Sequence, residues 1–336
     1  MTFKPSILAL ASLVLAAGAA QAQSNVTLFG VVDVGVRQVD NAGTKQSQLS
    51  TDGIQSSRLG FRGTEDLGGG LKAGFWLESA LNADTGTPNA TRFWHRRATV
   101  SLISADLGEV RLGRDLVPTW TALGDFDPFG TNGIGDTSLS YGALGGVDTK
   151  IRSDNMVSYF TPSLGGFYGQ VSVAAGEGVA GKKYTGGRAG FRSGPVDLTV
   201  AYSQTEVTND DVKLTVVGGS YDLGVVKLMG SYQQAEYQTS KEKHTTVGLT
   251  APVGVGQIRA SYAKVDGSGA IGDRDADQYA IGYVHNLSKR TAVYGTYAMI
   301  KNDGTANFTV GSISGFTMPK TQADSKGFEL GLRHAF

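Results

Sequence analysis

An alternation of apolar and polar side chains at every second residue is the feature that most limits the fold of this chain. The stretch 58–62 shows it, because Leu59 and Phe61 share one face while Arg58 and Arg62 share the other. Successive side chains of a strand point to opposite faces, so such a stretch is predicted to be a strand with one apolar and one polar face. Segments of this kind, roughly 9 to 13 residues long, recur along most of the chain. We therefore predict an all-β protein.

Two kinds of connection separate these segments and alternate along the chain. Seven are short and rich in turn residues: 66–70, 105–109, 162–166, 193–195, 222–224, 252–254 and 286–289. Eight are longer and polar: 41–53, 82–91, 116–150, 176–183, 208–212, 238–243, 267–276 and 302–322. Seven and eight make fifteen connections, which join sixteen strands and place both chain ends on the short-turn side.

Residues 1–22 are predicted to be a secretory signal peptide. Lys4 gives a basic start, 7–17 is an apolar run interrupted only by Ser12, and 20–22 reads Ala-Gln-Ala, a small-x-small cleavage site. The apolar run is too short to cross a bilayer as a helix, and no later stretch offers about 18 consecutive apolar residues. We therefore predict an exported chain whose single domain covers 23–336, without a transmembrane helix.

The composition argues against several other classes of protein. Glycine accounts for 48 of 336 residues, about twice the usual share, and it is scattered among apolar runs, which suits tight turns in β-structure and argues against long helices. Basic and acidic residues number 30 each, so the charge indicates no nucleic-acid partner. There are no cysteines, so an exported chain of this kind must be stable without disulfide bonds.

An alternating all-β chain can fold as a soluble sandwich or as a transmembrane barrel. The even strand number, the strand length and the separation of short turns from long loops are typical of a transmembrane barrel. Aromatic residues also flank the short turns, as Tyr159, Phe160, Phe167 and Tyr168 do around 162–166, which fits a girdle at a membrane interface. We therefore predict a transmembrane antiparallel β-barrel of about 16 strands, with a secreted sandwich as the alternative.

The last ten residues, "GFELGLRHAF", continue the alternation to the end of the sequence. Their apolar set ends in Phe336, and their polar set includes Glu329 and Arg333. In a closed barrel the last strand pairs with the first, and an unpaired backbone group in lipid costs several kcal/mol. Phe336 is therefore predicted to be needed for barrel closure and assembly.

Six stretches carry a resemblance to a known family. They are "SNVTLFGVVDVGV" at 24–36, "SSRLGFRGTEDLGGGLKAGFWLE" at 56–78, "RRATVSL" at 96–102, "GEVRLGR" at 108–114, "RSDNMVSYFTPSLGGF" at 152–167 and "GFELGLRHAF" at 327–336. As a set they resemble the general diffusion porins of Gram-negative outer membranes, above all those of beta-proteobacteria and neisseriae. The resemblance implies a sixteen-stranded homotrimeric barrel whose third extracellular loop folds into the lumen. It also implies that the final stretch is the signal read by the barrel insertion machinery.

The segment 116–150 matches the expected third loop. It lacks strand alternation and is far longer than a usual connection, so it is either functional or disordered. Its aromatic residues, such as Phe126 and Phe129, favour an ordered, packed segment. In the family such a loop sets acids against a basic wall, and Asp125 and Asp127 are the candidates here.

Several basic residues fall on the polar phase of the strands and are assigned to the lumen. Arg58, Arg97 and Arg152 match, by their position in the quoted stretches, the basic cluster that the family places at the pore constriction. Arg62, Lys72 and Arg111 also fall on lumen phases, but the sequence does not give their depth. The alternative for any one of them is that a water-filled lumen tolerates charge without using it.

The function expected from this reading is passive diffusion of small hydrophilic solutes and ions through an outer-membrane channel, with a moderate preference for anions. The expected partners are two further copies of the chain, outer-membrane lipid, the solutes and the insertion machinery. A substrate-specific channel would need a ladder of lumen aromatics, for which only Trp76 and Trp94 are candidates. An adhesive or structural barrel would need larger outer loops than most of those present.

Other motifs are read as incidental. "GSGAIG" at 267–272 does not open a helix after a buried strand, so it is not a dinucleotide fingerprint. The acids of 273–277 lack the rest of a calcium loop, although a weak surface cation site remains open. No G-x-S-x-G and no zinc-ligand spacing occurs, so no enzyme, metal or cofactor is predicted.

Overall fold

The computed structural model describes residues 25–88, 91–138, 144–311, 317 and 320–336, and within them β-strands predominate. The strands are β1 Asn25–Asn41, β2 Thr44–Thr51, β3 Arg58–Gly68, β4 Leu71–Asn82, β5 Thr87–Pro88, β6 Arg97–Ser104, β7 Gly108–Leu116, β8 Arg152–Phe160, β9 Phe167–Ala174, β10 Tyr184–Ser193, β11 Val196–Glu206, β12 Asp211–Asp222, β13 Lys227–Tyr237, β14 Ser240–Val253, β15 Gly256–Ser268, β16 Arg274–Asn286, β17 Thr291–Gly304 and β18 Ser325–Ala335. Helix α1 is Pro118–Gly124, and short 3-10 turns occur at Leu144–Gly146, Asp148–Lys150 and Gly269–Ile271. The predicted signal peptide, 1–22, lies outside the described residues.

The strands form a closed antiparallel barrel. Each barrel strand pairs with its neighbours in the chain, and β18 returns to pair with β1 from Val31 opposite Ala335 to Asn41 opposite Ser325. The other edge of β1 pairs with β3 in its first half and with the short β2 in its second half. Leaving out the two short additions β2 and β5, the eighteen described strands give a barrel of sixteen, which confirms the predicted architecture.

The two rims of the barrel differ as the sequence predicted, with two exceptions on the long-loop rim. One is the loop predicted over 41–53, where β1 and β2 instead form a hairpin around a turn at 42–43. All seven short connections occur where expected, at 69–70, 105–107, 161–166, 194–195, 223–226, 254–255 and 287–290. On the other rim, the loop predicted over 238–243 is wrong, because β13 and β14 continue to a two-residue turn at 238–239 with Gln238 at φ 53°. A strand that rises out of the membrane has water on its outer face, so charges such as Lys241 and Lys243 suit a strand as well as a loop.

The apolar side chains of the strands point outwards and the polar ones inwards. Leu330 on β18 is 59% exposed, whereas its neighbour Glu329 is fully buried inside the barrel. The same alternation exposes Leu28 on β1 and Val100 and Leu102 on β6. Such an outer band suits the hydrocarbon of a bilayer. No helix among the described residues has the length and apolar character needed to cross a membrane.

The apolar core of the molecule lies on the inner side of the barrel wall, where two connecting segments pack. The connection 117–151 places Phe126 against the inward position of Gly218 on β12, and Phe129 and Ile134 pack with Ile300 of β17. The connection after β17 adds Ala306, Phe308 and Val310 to the same cluster. A hydrogen bond of 3.0 Å from the Val310 amide to Ser325 Oγ fixes this second segment. Both segments are therefore positioned by packing on the inner wall.

The seam between β1 and β18 is completed by the last residue. Phe336 and Gly30 exchange two backbone hydrogen bonds, each 3.1 Å long. The Phe336 ring lies directly over Gly30, where an added Cβ would come within 2.3 Å of the ring. Glycine at position 30 therefore provides the space into which the terminal ring packs, and the ring covers the seam on the lipid side.

Deletion of Phe336 is expected to reduce assembly far more than conduction. The deletion removes a pair of seam hydrogen bonds and the ring that covers them, at a position away from the lumen. The amount of folded protein in outer-membrane fractions measures the effect. Leu332→Ala, on the same lipid face of β18, is the matched control and should assemble nearly normally. Normal amounts of folded protein with altered conductance would contradict this role of Phe336.

Candidate functional site

A wall of arginine side chains lines the inner face of β3 to β8. Arg58, on the polar phase of β3, places Nη1 3.5 Å from Glu78 Oε1 on the adjacent strand β4. The Arg96 Nε lies 2.5 Å from the same oxygen. One carboxylate is thus shared by two guanidinium groups, which leaves a net positive charge at this point of the wall.

Arg96 is the member of this wall that the sequence analysis missed. It lies one residue before β6, where strand alternation no longer assigns a face, and its backbone amide donates to the Glu78 carbonyl at 3.1 Å. The pair "RR" at 96–97 was a visible signal, but only Arg97 could be given a phase. The structure places both guanidinium groups on the same wall.

Arg152 joins Arg58 and Arg96 around one cavity of about 550 Å³. Its Nε donates to the Arg96 carbonyl oxygen at 2.8 Å, and within the described residues no carboxylate lies within 4.0 Å of its guanidinium. The β7–β8 ladder is irregular here, and Asn155 has φ 55°, so alternation alone cannot carry the phase of Ser158 back to position 152. The position of Arg152 in the lumen is therefore established by the contacts of its guanidinium group and not by strand alternation.

The third predicted arginine, Arg97, lies in the neighbouring cavity of about 400 Å³, together with Arg62 and Arg111. Its guanidinium carbon lies 4.5 Å from the centre of the Trp76 ring, and its Nε is 3.5 Å from Asp115 Oδ2. The structure thus brings Arg58 and Arg152 together and places Arg97 one cavity nearer the short-turn rim. The remaining predicted cation, Lys72, is exposed beside the turn at 69–70.

Positive charge exceeds negative charge on this wall. Arg58, Arg92, Arg96, Arg97, Arg111 and Arg114 form ion pairs with Glu78, Glu109, Asp115 and Asp154. Arg62 and Arg152 have no carboxylate within 4.0 Å in the described part of the chain. Eight arginines against four carboxylates leave a surplus of four positive charges.

The predicted loop acid Asp125 points to a different wall. The buried side chains of α1, among them Thr119, Ala122 and Leu123, fix the helix against β10, β11 and β12. Asp125 follows directly and places Oδ2 2.9 Å from Nη1 of Arg188 on β10. Its charge is therefore paired with an arginine two strands beyond β8 and is not directed at Arg58 and Arg152.

The second predicted loop acid, Asp127, is buried and organises the loop itself. Its carboxylate accepts hydrogen bonds from the backbone amides of Phe129 and Thr131, both at 2.9 Å, and of Thr137 at 3.3 Å. Burial, together with the neighbouring Asp136 carboxylate, raises the pKa of Asp127 to about 7. The Asp127 carboxyl group is therefore engaged by the backbone of its own loop and, among the described residues, makes no ion pair with the arginine wall.

A buried network that the sequence analysis did not identify anchors the loop to the barrel seam. Glu329 on β18 accepts from Arg37 Nη2 and from Ser50 Oγ, each at 2.8 Å, and from the Ile134 amide of the loop at 3.4 Å. Asp33 on β1 accepts from the Tyr294 hydroxyl at 2.6 Å. Strand alternation placed Asp33, Arg37 and Glu329 on the polar face, but it could not show which loop they hold.

Comparison with known proteins finds a matching family, relatives of known name and similar solved structures. Residues 9–305 match the family model described as Gram-negative porin. Outer membrane porin protein 32 of Delftia acidovorans is 42% identical over 99% of this chain and 100% of its own length. Major outer membrane protein P.IB of Neisseria meningitidis is 29% identical over 60% of each chain. A solved structure titled anion-selective porin from Comamonas acidovorans superposes with a TM-score of 0.85 at 41% identity, covering 94% of this chain and 100% of that one.

Glu329→Gln is expected to loosen the loop and destabilise the seam. The substitution leaves the buried Arg37 without its carboxylate, and breaking a buried pair costs about 3 to 5 kcal/mol of unfolding free energy. Thermal unfolding in detergent should therefore show a lower transition temperature. The open-channel current in planar bilayers should also become noisier, because the Ile134 amide is held less firmly.

Glu236→Gln is the matched control, since Glu236 forms a largely solvent-exposed ion pair with Lys241 beside the turn at 238–239. Exposed pairs contribute about 0 to 1 kcal/mol. Equal thermal shifts for the two variants would show that Glu329 does not hold the loop.

Proposed function

The chain belongs to the Gram-negative porin family, and on this premise we propose that its barrel is a moderately anion-selective outer-membrane channel for small hydrophilic solutes and ions. A barrel of sixteen strands is wide enough to enclose a water-filled lumen. The observation that carries the selectivity is the surplus of four positive charges on the wall from β3 to β8. The similar structure titled anion-selective porin supports the same conclusion.

The proposed constriction lies where Arg58, Arg96 and Arg152 face the loop residues Asn132 and Asp136 across the larger cavity. Guanidinium groups stay charged at any working pH. In a narrow lumen with low-dielectric walls, fixed charges act more strongly on a passing ion than they do in bulk water. A tenfold preference needs only about 1.4 kcal/mol between two ions. Arg97 extends the basic wall one step towards the short-turn rim.

Transport through this channel is passive and involves no catalysis. The family and the fold both point to a channel. Most arginines of the wall are held in ion pairs, such as Arg58 with Glu78 on the adjacent strand and Arg111 with Asp115 on its own strand, which suits a fixed electrostatic filter. The solute therefore crosses without a covalent step, and its rate is set by size, charge and the dimensions of the opening.

The mature protein is proposed to be a homotrimer that begins at Gln23. The leader-like residues 1–22 and the outer apolar band support export and membrane assembly. Mass spectrometry of purified outer membranes should give the mass of a chain that starts at Gln23. An unheated detergent extract should migrate as an oligomer that boiling dissociates. A protein that stays monomeric and soluble without detergent would contradict this assembly.

Replacing Arg58, Arg97 and Arg152 together by serine is expected to remove most of the anion preference. The variant loses three of the eight arginines and keeps all four carboxylates, so the surplus falls from four charges to one. Reversal potentials in a KCl gradient measure the change. The preference of the wild type should weaken with salt, since the Debye length falls from about 10 Å at 0.1 M to about 3 Å at 1 M.

Two single variants separate the contribution of the arginine wall to anion preference from that of charges at the rim. Arg96→Gln should lower the preference, because Arg96 lines the larger cavity. Lys183→Gln, which removes the same charge from an exposed pair with Glu206 at the rim, should leave it nearly unchanged. A triple variant with the wild-type reversal potential at low salt would refute this placement of the constriction, whatever the state of the barrel.

A further inference from the structure

The smaller cavity on the basic wall has a composition different from that of the proposed constriction. It is about 400 Å³ in volume and shares none of its lining residues with the larger cavity. Cations and an aromatic ring lie side by side in it, namely Arg62, Arg97 and Trp76. Its volume falls in the range of small-molecule sites, which is roughly 300 to 1,000 Å³. A single chloride ion would leave most of this space unfilled.

The aromatic rings fix the position of the Arg62 guanidinium. Its central carbon lies 5.3 Å from the centre of the Phe29 ring and 5.0 Å from that of Trp76, and these two rings meet edge to face at 5.1 Å. The Trp76 Nε1 donates to Glu78 at 3.0 Å, which holds the indole in place. A planar cation stacked on rings keeps its N–H donors at its edge, where they can bind a carboxylate in two-point fashion.

The cation held in this way has its charge available to a ligand. No carboxylate lies within 4.0 Å of the Arg62 guanidinium among the described residues, and the side chain is exposed to the lumen. Arg111 in the same cavity is different, because it already pairs with Glu109 at 2.8 Å and with Asp115 at 2.7 Å. Arg62 is therefore the cation of this cavity whose charge is not already paired with a carboxylate of the described residues.

The remaining lining suits a ligand with an apolar body. Trp76 and Ile103 present apolar surface, while the hydroxyl groups of Thr27, Thr64 and Thr99 can accept or donate hydrogen bonds. We propose that this cavity is a subsite for organic anions in which a carboxylate is joined to a flat apolar body. The proposal rests on the proposed function, since the ligand must enter through an open channel.

Benzoate is the probe, and current through the purified protein in planar bilayers is the measurement. Benzoate should interrupt the chloride current at a concentration about tenfold lower than acetate does, a difference of about 1.4 kcal/mol, because its ring can pack against Trp76. Benzamide, which has the same shape without the charge, should not interrupt it. Equal effects of benzoate, acetate and benzamide would overturn the subsite.

Single variants separate binding of benzoate in the subsite from the general effect of positive charge in the lumen. Trp76→Leu and Arg62→Gln should each weaken the benzoate effect about tenfold. Arg333→Gln removes the same charge from the inner face of β18, outside this cavity, and should leave the benzoate effect unchanged. Unchanged benzoate block in both Trp76→Leu and Arg62→Gln would refute the assignment.

A third variant tests the subsite at an exposed position, where a substitution leaves the packing of the barrel unchanged and misfolding is not expected. Thr64 is exposed and lines the cavity, so Thr64→Glu places a negative charge there and should abolish the preference for benzoate over acetate. If the wild type conducts no ions at all, the channel function fails and the subsite fails with it. If the wild type conducts with an anion preference but does not distinguish benzoate from acetate, only the subsite fails.

Discussion

The backbone hydrogen bonds between strands are the interaction on which the rest of this structure depends. Lipid offers no hydrogen-bond partner to a free backbone amide or carbonyl group. A β-sheet can therefore cross a membrane only when its two edge strands pair with each other. Here the edges meet along β1 and β18, and the reciprocal pair between Gly30 and Phe336 extends the ladder to the last residue. The apolar outer face of the strands follows from the same environment, because that face meets the lipid.

A closed barrel in lipid also reverses the usual distribution of side chains, with apolar residues on the outside and many polar residues on the inside. Because the lipid-facing phase of the strands is apolar, most polar and charged residues lie on the inner wall, where they must be paired with one another or with segments inside the barrel. Glu329 shows how this works: the strand places it inside, and Arg37, Ser50 and the Ile134 amide of the connection 117–151 satisfy it. The polar wall therefore serves as the anchor for the loop that packs against it.

The sequence was sufficient for the barrel but not for the grouping of its charges. Period-two alternation assigned Arg58 and Arg97 to the inner face, because that assignment needs only the local phase of a strand. It could not show that Arg97 lies in a different cavity from Arg58, since depth depends on the register of neighbouring strands. It also missed Arg96, which precedes a strand, and it could not foresee that the polar stretch after Gln238 continues as paired strand.

The loop acids explain why the surplus of positive charge persists across the lumen. An acidic loop facing a basic wall would neutralise much of its field if the carboxylates pointed at the arginines. In this chain Asp125 is paired with Arg188 of β10, and Asp127 accepts hydrogen bonds from backbone amides of the loop. Asp125 thus attaches the loop to β10, and Asp127 stabilises the fold of the loop itself. The field at Arg58, Arg96 and Arg152 is opposed by Glu78 of their own wall, whose single charge two of the three arginines share, and by Asp136 of the loop, which lines the same cavity.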